Sequence, residues 1–326
     1  MTTRVEVPAR SALVGNPSDA FGGATIAFTI DSLATTVEAR GAEAVTLAAA
    51  DAQLRFADAA ALVTAGRGGT YPPAGELALL MASAKRYCEW LAGRGGRLDD
   101  LGFELAVTAS TIPPQVGLAG SSAVVVGALS ALGELLGNKI PQGRLPSFAL
   151  VCETAELGIT AGLQDRVVQA MGGLVYMDFD AANVAGGDYA KLDRSLLPRL
   201  FVAWLGDAAT DSGRTHQSVR ERFDRGDREV IDAMSEIAQL ARAGREALTS
   251  GDHEALGALM TRNLALRKQV YTLDPRHEKL VDAARGLGLP ANYTGSGGAI
   301  VALRGDRTRE ELDEAFEPLG ASVLPI

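Results

Sequence analysis

Hydrophobic and polar positions alternate at short range through the first fifty residues. Arg4–Val7, Ala12–Val14, Ala24–Ile30, Thr35–Ala39 and Ala44–Leu47 are short, β-branched or alternating, and each predicts a strand. The period then lengthens. Residues 75–94 place Leu77, Leu80, Met81, Ala84 and Cys88 on one face of a helix. Leu101–Thr108 returns to a strand pattern, and a Gly-rich loop leads from it into the small apolar run Val124–Leu132, which suits a buried helix. Helical patterns follow over 144–157 and 164–171, the second broken by Gly172-Gly173 before a strand at Leu174–Met177.

Residues 180–198 combine Gly with several charges and form the best candidate boundary, which predicts an N-terminal nucleotide-binding domain over 1–185 and a C-terminal domain over 186–326. Beyond it, Leu200–Leu205 reads as a strand, and helices are expected at 214–224, 227–249, 253–271 and 276–287. A loop over 291–298, a strand at Ala299–Leu303, a helix over 307–317 and a strand at Ser322–Leu324 complete the chain. Strands first, then mixed strands and helices without regular βαβ alternation, predict an α+β fold.

Composition narrows the function classes. The 326 residues are 47% hydrophobic and 22% charged, as in ordinary globular proteins, and are enough for two domains. A net charge of −9 and 5% aromatic residues argue against a nucleic-acid partner and against an anionic membrane surface. The first seven residues lack an apolar signal core, and no run of about 18 apolar residues predicts a membrane span. Cys88 and Cys152 lack metal-site spacing and fit a reducing cytoplasm, and His216, His253 and His277 are too scattered to suggest a His-based metal site.

The candidate chemistry starts at Pro113 to Ala123, which reads Pro-Pro-Gln-Val-Gly-Leu-Ala-Gly-Ser-Ser-Ala. A Gly-rich loop at a helix start presents free N–H groups and the positive end of the helix dipole, an anion site. Ser121 and Ser122 could add donors to phosphate or an oxygen to Mg²⁺. No Gly-Lys-Ser/Thr ending follows, so the loop is not a Walker A motif. Alone, such a loop is most often a turn. Two further Gly-containing segments, Arg10–Gly23 and Tyr293–Gly298, change its reading by their order and neighbours.

Pro8–Asp19, Pro113–Ala123 and Asn292–Ala299 resemble, in family order, the three motifs of the GHMP small-molecule kinases. The resemblance implies a two-domain α+β fold with the active site in the cleft between an N-terminal and a C-terminal domain. It implies ATP and Mg²⁺, with Pro113, Gly117, Leu118, Ala119, Gly120, Ser121, Ser122 and Ala123 around the nucleotide phosphates. Ala161–Arg166 resembles the family's Gly-x-x-Asp stretch. That implies Asp165 as the catalytic carboxylate and Arg10 as the cation that eases acceptor ionisation or stabilises transferred charge. Ser122 and Glu156 are the implied metal ligands, with Glu153 the second choice at i, i+3 spacing on the same helix. The loop departs from the family pattern by one inserted residue, Ala119, which leaves Ser121 and Ser122 both open as the metal-binding hydroxyl.

Gly15–Gly23, Leu157–Val167, Asp211–Gly213 and Tyr293–Gly298 resemble, more narrowly, the glucuronokinase branch. This implies transfer of phosphate from ATP to the anomeric hydroxyl of D-glucuronate, giving the 1-phosphate. Asn16, Asp19, Gly295, Ser296 and Gly297 fall at substrate positions, and Arg166 and Arg214 are the candidate cations for a uronate carboxylate. Arg220, with Glu221 and Arg222, reads as a solvated helix face. Galacturonate or a neutral hexose are the alternative acceptors; an ATP-dependent decarboxylase and a non-catalytic ligand sensor are the alternatives in other classes. A monomer or homodimer in the cytoplasm, acting on a small sugar, completes the expectation.

Overall fold

The computed structural model of the chain describes residues 2–180, 188–206 and 212–326, with the backbone alone at 212–217. Two compact units emerge, and their segments interleave. The first comprises Met1–Ala9, Asp31–Ile112 and Ala119–Ala170; the second comprises Arg10–Ile30, Pro113–Leu118 and Met171–Ile326. The boundary expected at 185/186 falls outside the described residues. Strands β1 (Thr2–Val14) and β2 (Ala24–Ala42) each run from one unit into the other. Each joins two of the shorter predicted strands. In β2 the polar pair Asp31-Ser32 interrupts the apolar pattern, but both residues are exposed, so strand geometry continues while burial lapses.

In the first unit the sheet order is β4 (Ala52–Phe56), β3 (Val45–Ala49), β5 (Gly102–Ser110) and the C-terminal part of β2. β3 and β5 are parallel and the other pairs antiparallel, with a register slip at Thr36/Val37. Four helices cover this sheet or one another: α1 (Ala59–Arg67), α2 (Glu76–Ala92), α3 (Gly120–Leu135) and α4 (Leu145–Leu157). A fifth, α5 (Gln164–Met171), closes the unit. β4 and α1 are additions to the predicted elements. Ala50 makes the β3–β4 turn at a φ of 46°, without the Asn-Gly or Asp-Gly that signals a hairpin. Asp58 then caps α1 by accepting from the Ala61 N–H at 2.8 Å. Helix α3 is buried on most sides because it is built of small residues. A methyl group on Gly127 would lie 2.7 Å from Val37, so only glycine lets the helix seat there.

In the second unit the N-terminal part of β2 pairs with β6 (Leu174–Asp178), and β6 with β7 (Asp188–Leu192). A separate antiparallel sheet has the order β11 (Ala321–Pro325), β8 (Leu200–Leu205), β10 (Ala299–Leu303), β9 (Ala291–Tyr293). Helices α6 (Ser212–Asp224), α7 (Arg228–Ser250), α8 (His253–Val270), α9 (Pro275–Gly286) and α10 (Arg309–Phe316) complete it. Caps fix the helix starts: the carboxylates of Asp227, Asp252 and Asp274 accept from Glu229, Ala255 and Arg276, and Thr308 with Glu311 forms a capping box. α7 packs along α8, while α8 and α9 lie on β9 and β10. β7 occupies the expected boundary region, and β9 takes the first part of the expected 291–298 loop by pairing Ala291–Tyr293 with Ile300–Ala302. Among the described residues no helix is long and apolar enough to cross a membrane.

Candidate active site

Three Gly-containing segments far apart in sequence converge on one side chain in the second unit. Arg10 is 4% exposed and lies on β1. Its Nη1 donates to the carbonyl of Thr294 and, at 3.4 Å, to that of Gly117. Its own backbone N–H donates to Leu118 O at 3.1 Å, and Ala12 N–H to Thr294 O at 2.8 Å. The hydroxyl of Thr294 adds a bond to Gly117 O at 3.1 Å. These bonds hold the 113–118 and 294–298 segments backbone to backbone. A Cβ at Gly295 would sit 2.5 Å from Gly117 O, and one at Gly117 would sit 2.6 Å from Gly297 O. Gly117 also has a φ of 78°, which a side chain would strain.

Asn16 joins the same cluster, its Nδ2 donating to Gly295 O at 3.1 Å. Asn263, on α8, fixes this turn from beneath: its Oδ1 accepts from Gly15 N–H at 2.6 Å and its Nδ2 donates to Asn16 O at 2.9 Å. His277 accepts from Gly298 N–H through Nδ1 at 3.1 Å, which sets its tautomer. Arg267, also on α8, donates through Nη2 to Ser296 O at 3.1 Å. Asp19 is half-buried, and its carboxylate acts electrostatically on Arg267 and Tyr271.

A second constellation belongs to the first unit. Ala119, left-handed at φ 65°, precedes the first turn of α3. Its carbonyl gathers bonds from Ala123 N–H, from Ser122 Oγ at 3.2 Å and from Gln169 Nε2 at 3.0 Å. The inserted residue is thereby built into the helix start, and the N–H groups ahead of Ala123 are the orphan donors of that start. Ser121 is exposed, whereas Ser122 is 1% exposed and donates to Gln169 Oε1 at 2.5 Å. Gln169 Nε2 also donates to Pro8 O at 3.0 Å, so both ends of its amide are fixed and the Ser122 lone pairs are oriented with it.

The two acidic candidates on α4 have different surroundings. Glu153 is 1% exposed, and its Oε2 accepts from Arg166 Nε at 2.8 Å and from Arg166 Nη2. Burial pushes the Glu153 carboxyl above its ordinary range, only partly opposed by the Arg166 guanidinium, and the Asp165 charge adds to the rise. Asp165 is partly exposed and lies 3.6 Å from Arg166 Nη1, which also donates to Gly162 O at 2.7 Å. Glu156 points to α2 instead. It accepts from Lys85 Nζ at 2.7 Å and from Tyr71 OH at 2.5 Å, with Arg86 at 3.5 Å. Burial raises its carboxyl, but the Lys85 and Tyr71 hydrogen bonds outweigh that and hold it below the usual range. The i, i+3 spacing leaves the two side chains about 60° apart around the helix, enough to meet different neighbours.

Of the residues expected at the site, Arg10, Asn16, Gly117, Leu118, Gly295, Ser296 and Gly297 cluster in the second unit, where Pro113 is half-buried at the start of its loop. Ala119 to Ala123, Glu153, Asp165 and Arg166 lie in the first. Arg166 is committed to Glu153 and Gly162, and Glu156 to cations of α2. The side chain of Arg214 lies outside the described residues. Gln169, Asn263 and Arg267 escape sequence reasoning, because each is a single polar residue in a helical pattern with no motif around it.

Family profiles for the GHMP kinases N terminal domain and the GHMP kinases C terminal region match residues 78–173 and 245–321. The chain is 34% identical to Glucuronokinase 1 of Arabidopsis thaliana, covering 98% of this chain and 90% of that protein. It is 36% identical to Probable glucuronokinase 2 of the same plant, covering 98% and 89%. Among solved structures, the Methanococcus jannaschii mevalonate kinase superposes with a TM-score of 0.78 at 18% identity over 100% of this chain and 98% of that one. The Lactococcus lactis galactokinase complexed with galactose gives 0.78 at 20% over 99% and 92%.

Proposed function

The chain belongs to the GHMP kinases, and from that premise we propose that it phosphorylates the anomeric hydroxyl of a sugar acid, D-glucuronate first, using ATP. The observation that carries the reading is the convergence of the three Gly-containing segments on Arg10, together with full-length likeness to two plant glucuronokinases.

The helix start at Gly120 to Ala123 offers N–H donors and the positive dipole end to the nucleotide phosphates, supported by the backbone of Pro113 to Ala119. The donor set here suits Mg²⁺, which takes hard oxygen ligands and few of them from protein. Ser122 would supply a hydroxyl oxygen, oriented by Gln169. Glu156, the first choice for the carboxylate, is held by Lys85 and Tyr71, and Glu153, the second, accepts from Arg166 through Oε2. When bound, the ion neutralises charge on the transferring phosphoryl group.

Asp165 accepts or orients the proton of the acceptor hydroxyl; it is partly exposed and lies 3.6 Å from Arg166 Nη1. Arg10 presents a buried positive charge beside Gly117 and Gly295, where it stabilises negative charge near the transferred group. Asn16 and Asp19 contact sugar hydroxyls, and the backbone of Gly295 to Gly297 permits close approach. Residues 1–185 act as the nucleotide-binding part and 186–326 as the C-terminal domain, in a protein that works as a monomer or homodimer. The buried free thiols of Cys88 and Cys152 fit a cytoplasmic setting.

An ADP-release assay across uronic acids, neutral hexoses and mevalonate tests the reading, with the position of the new phosphate read by NMR. Uronate-dependent release with an anomeric phosphate is expected. Release with mevalonate or hexose alone, or without an anomeric phosphate, overturns it.

A further inference from the structure

The short 3₁₀ turn Ser18–Phe21 carries Asp19, and it is clamped by a residue 200 positions further along the chain. On α6, Arg220 donates through Nη1 to the carbonyl of Ala20 at 3.0 Å and through Nε to Asp224 at 2.9 Å. The same guanidinium lies 5.9 Å from the ring centroid of Phe21 and 6.0 Å from that of Phe223, within reach of a cation–π contact with each. The two rings meet at 4.9 Å, and both pack against the apolar cluster that contains Val219, Met234, Leu266 and Tyr271. Ser18 is buried and donates to Ala24 O at 2.8 Å, which ties the start of the turn to β2. A methyl group on Gly23 would lie 2.8 Å from the Ala238 side chain, so the chain leaving the turn is in close contact with α7.

A solvated helix face, which is how Arg220 reads in the sequence, needs only the i, i+4 pair with Asp224. That pair is 52% and 53% exposed at its two ends, and ion pairs so exposed contribute little. The bond to Ala20 O and the two rings are left unexplained by such a face. A planar guanidinium serves Asp224 and Ala20 together because its Nε and Nη donors are fixed relative to one another. Arg220 thereby holds residues 20 and 21 against α6, and Asp19 is the residue just before them. Asp19 is half-buried, and its charge acts on Arg267 and Tyr271 at the end of α8. A turn already fixed in the free protein leaves less ordering to be imposed when a ligand binds.

We infer that Arg220 is a positioning residue for the acceptor: its clamp on Ala20 and Phe21 sets the place of Asp19, and it acts through that turn rather than on the acceptor itself. The inference rests on the reading of Asp19 as a sugar contact and adds to it the group that holds Asp19 in place, distinct from Arg166 and Arg214. A turn released from the clamp must be ordered at the moment of binding. That raises the KM for the acceptor and leaves the KM for ATP where it is.

The test compares the wild-type protein with Arg220→Ala and Asp224→Asn by steady-state kinetics on D-glucuronate and ATP and by amide hydrogen exchange. Arg220 is 52% exposed, so its replacement leaves the core intact. Arg220→Ala should raise the KM for glucuronate at least about fivefold, with the KM for ATP unchanged. In the same variant, exchange should quicken at the amides of Ser18, Ala20, Gly22 and Gly23, which bond to the carbonyls of Gly15, Pro17, Asp19 and Ser18. Asp224→Asn removes the charge of the surface pair but keeps an oxygen for Arg220 Nε, so it should stay near the wild type in both measurements. An unchanged KM for glucuronate, an equal rise for ATP, unchanged exchange, or an Asp224→Asn protein that matches Arg220→Ala would each overturn the inference. If the wild-type protein uses no uronate, the uronate reading fails on its own. The acceptor found by the ADP-release assay then serves for the KM comparison, and exchange judges the clamp independently of any acceptor.

Discussion

Replacing Gly295 by Ala puts a methyl carbon 2.5 Å from the carbonyl oxygen of Gly117, 3.2 Å from its carbonyl carbon and 3.1 Å from Arg10 Nη1. Ordinary contact begins near 3.4 Å, so the nearest approach is about 0.9 Å too short. The first two obstacles are backbone, and the third is a guanidinium held by two carbonyls. None can swing aside as the end of a flexible side chain would. The 294–298 and 113–118 segments must separate by most of an ångström, which stretches the Asn16 bond to Gly295 O and the Thr294 hydroxyl bond to Gly117 O, both 3.1 Å at present. Overpacking of this kind costs about 1–3 kcal/mol of stability. A shift near 1 Å in a reacting geometry costs on the order of 100-fold in rate. Coupled ADP-release kinetics and a urea unfolding curve on the same preparation should show both effects, with the larger in kcat. A Gly295→Ala protein with wild-type kcat and unfolding midpoint would refute the claim that this contact sets the alignment of the two segments.

Three other outcomes follow from the same geometry. Asp165→Asn removes the carboxylate charge with almost no change of shape, so ATP should still bind by calorimetry while turnover falls about 10²-fold or more; full turnover would remove Asp165 from the chemistry. Gln169→Leu leaves Pro8 O without that bond and frees the Ser122 hydroxyl, so unfolding should cost about 1–3 kcal/mol less and the Mg²⁺ concentration for half-activity should rise; an unchanged Mg²⁺ titration would count against Gln169 as the orienting group. Burial pushes the thiols of Cys88 and Cys152 up to about 12 from 9.0. Because the folded values lie above the unfolded ones, their contribution to stability is complete below pH 9.0 and declines as the pH rises towards 12. Denaturant midpoints measured across that range should fall, thiol reagents at neutral pH should modify neither cysteine until the protein unfolds, and rapid labelling of the native protein would contradict their burial.

The loop at Pro113–Ala123 was legible because glycines, hydroxyls and a following small-residue helix carry a local signal that needs no partner. Asp165 and Arg10 were legible only through the motifs around them. Helix periodicity placed Glu153 and Glu156 together, yet it could not say that Lys85 and Tyr71, far away in sequence, claim Glu156. The same limit applies to Gln169, whose role comes from carbonyls at positions 8 and 119. β4 and α1 were hidden for a local reason: the Ala50-Asp51 turn lacks the Asn-Gly or Asp-Gly pair that signals a hairpin, and α1 is only 9 residues long. Asn263 and Arg267 lie on α8, where a helical pattern gives polar residues no distinction between solvent and an enclosed turn.

The interleaving of the two units gives synthesis an order. Residues 10–30 are made well before residues 171–326, from which nearly all of the unit they belong to is drawn. Gly15 must wait for Asn263, and Arg10 for Thr294, more than 240 residues later. Contacts of such separation form slowly. The arginine that organises the site therefore leaves the ribosome long before the segment it must bind, and nascent chains cut short of the 294–298 segment would carry a nearly complete first unit with no organised site.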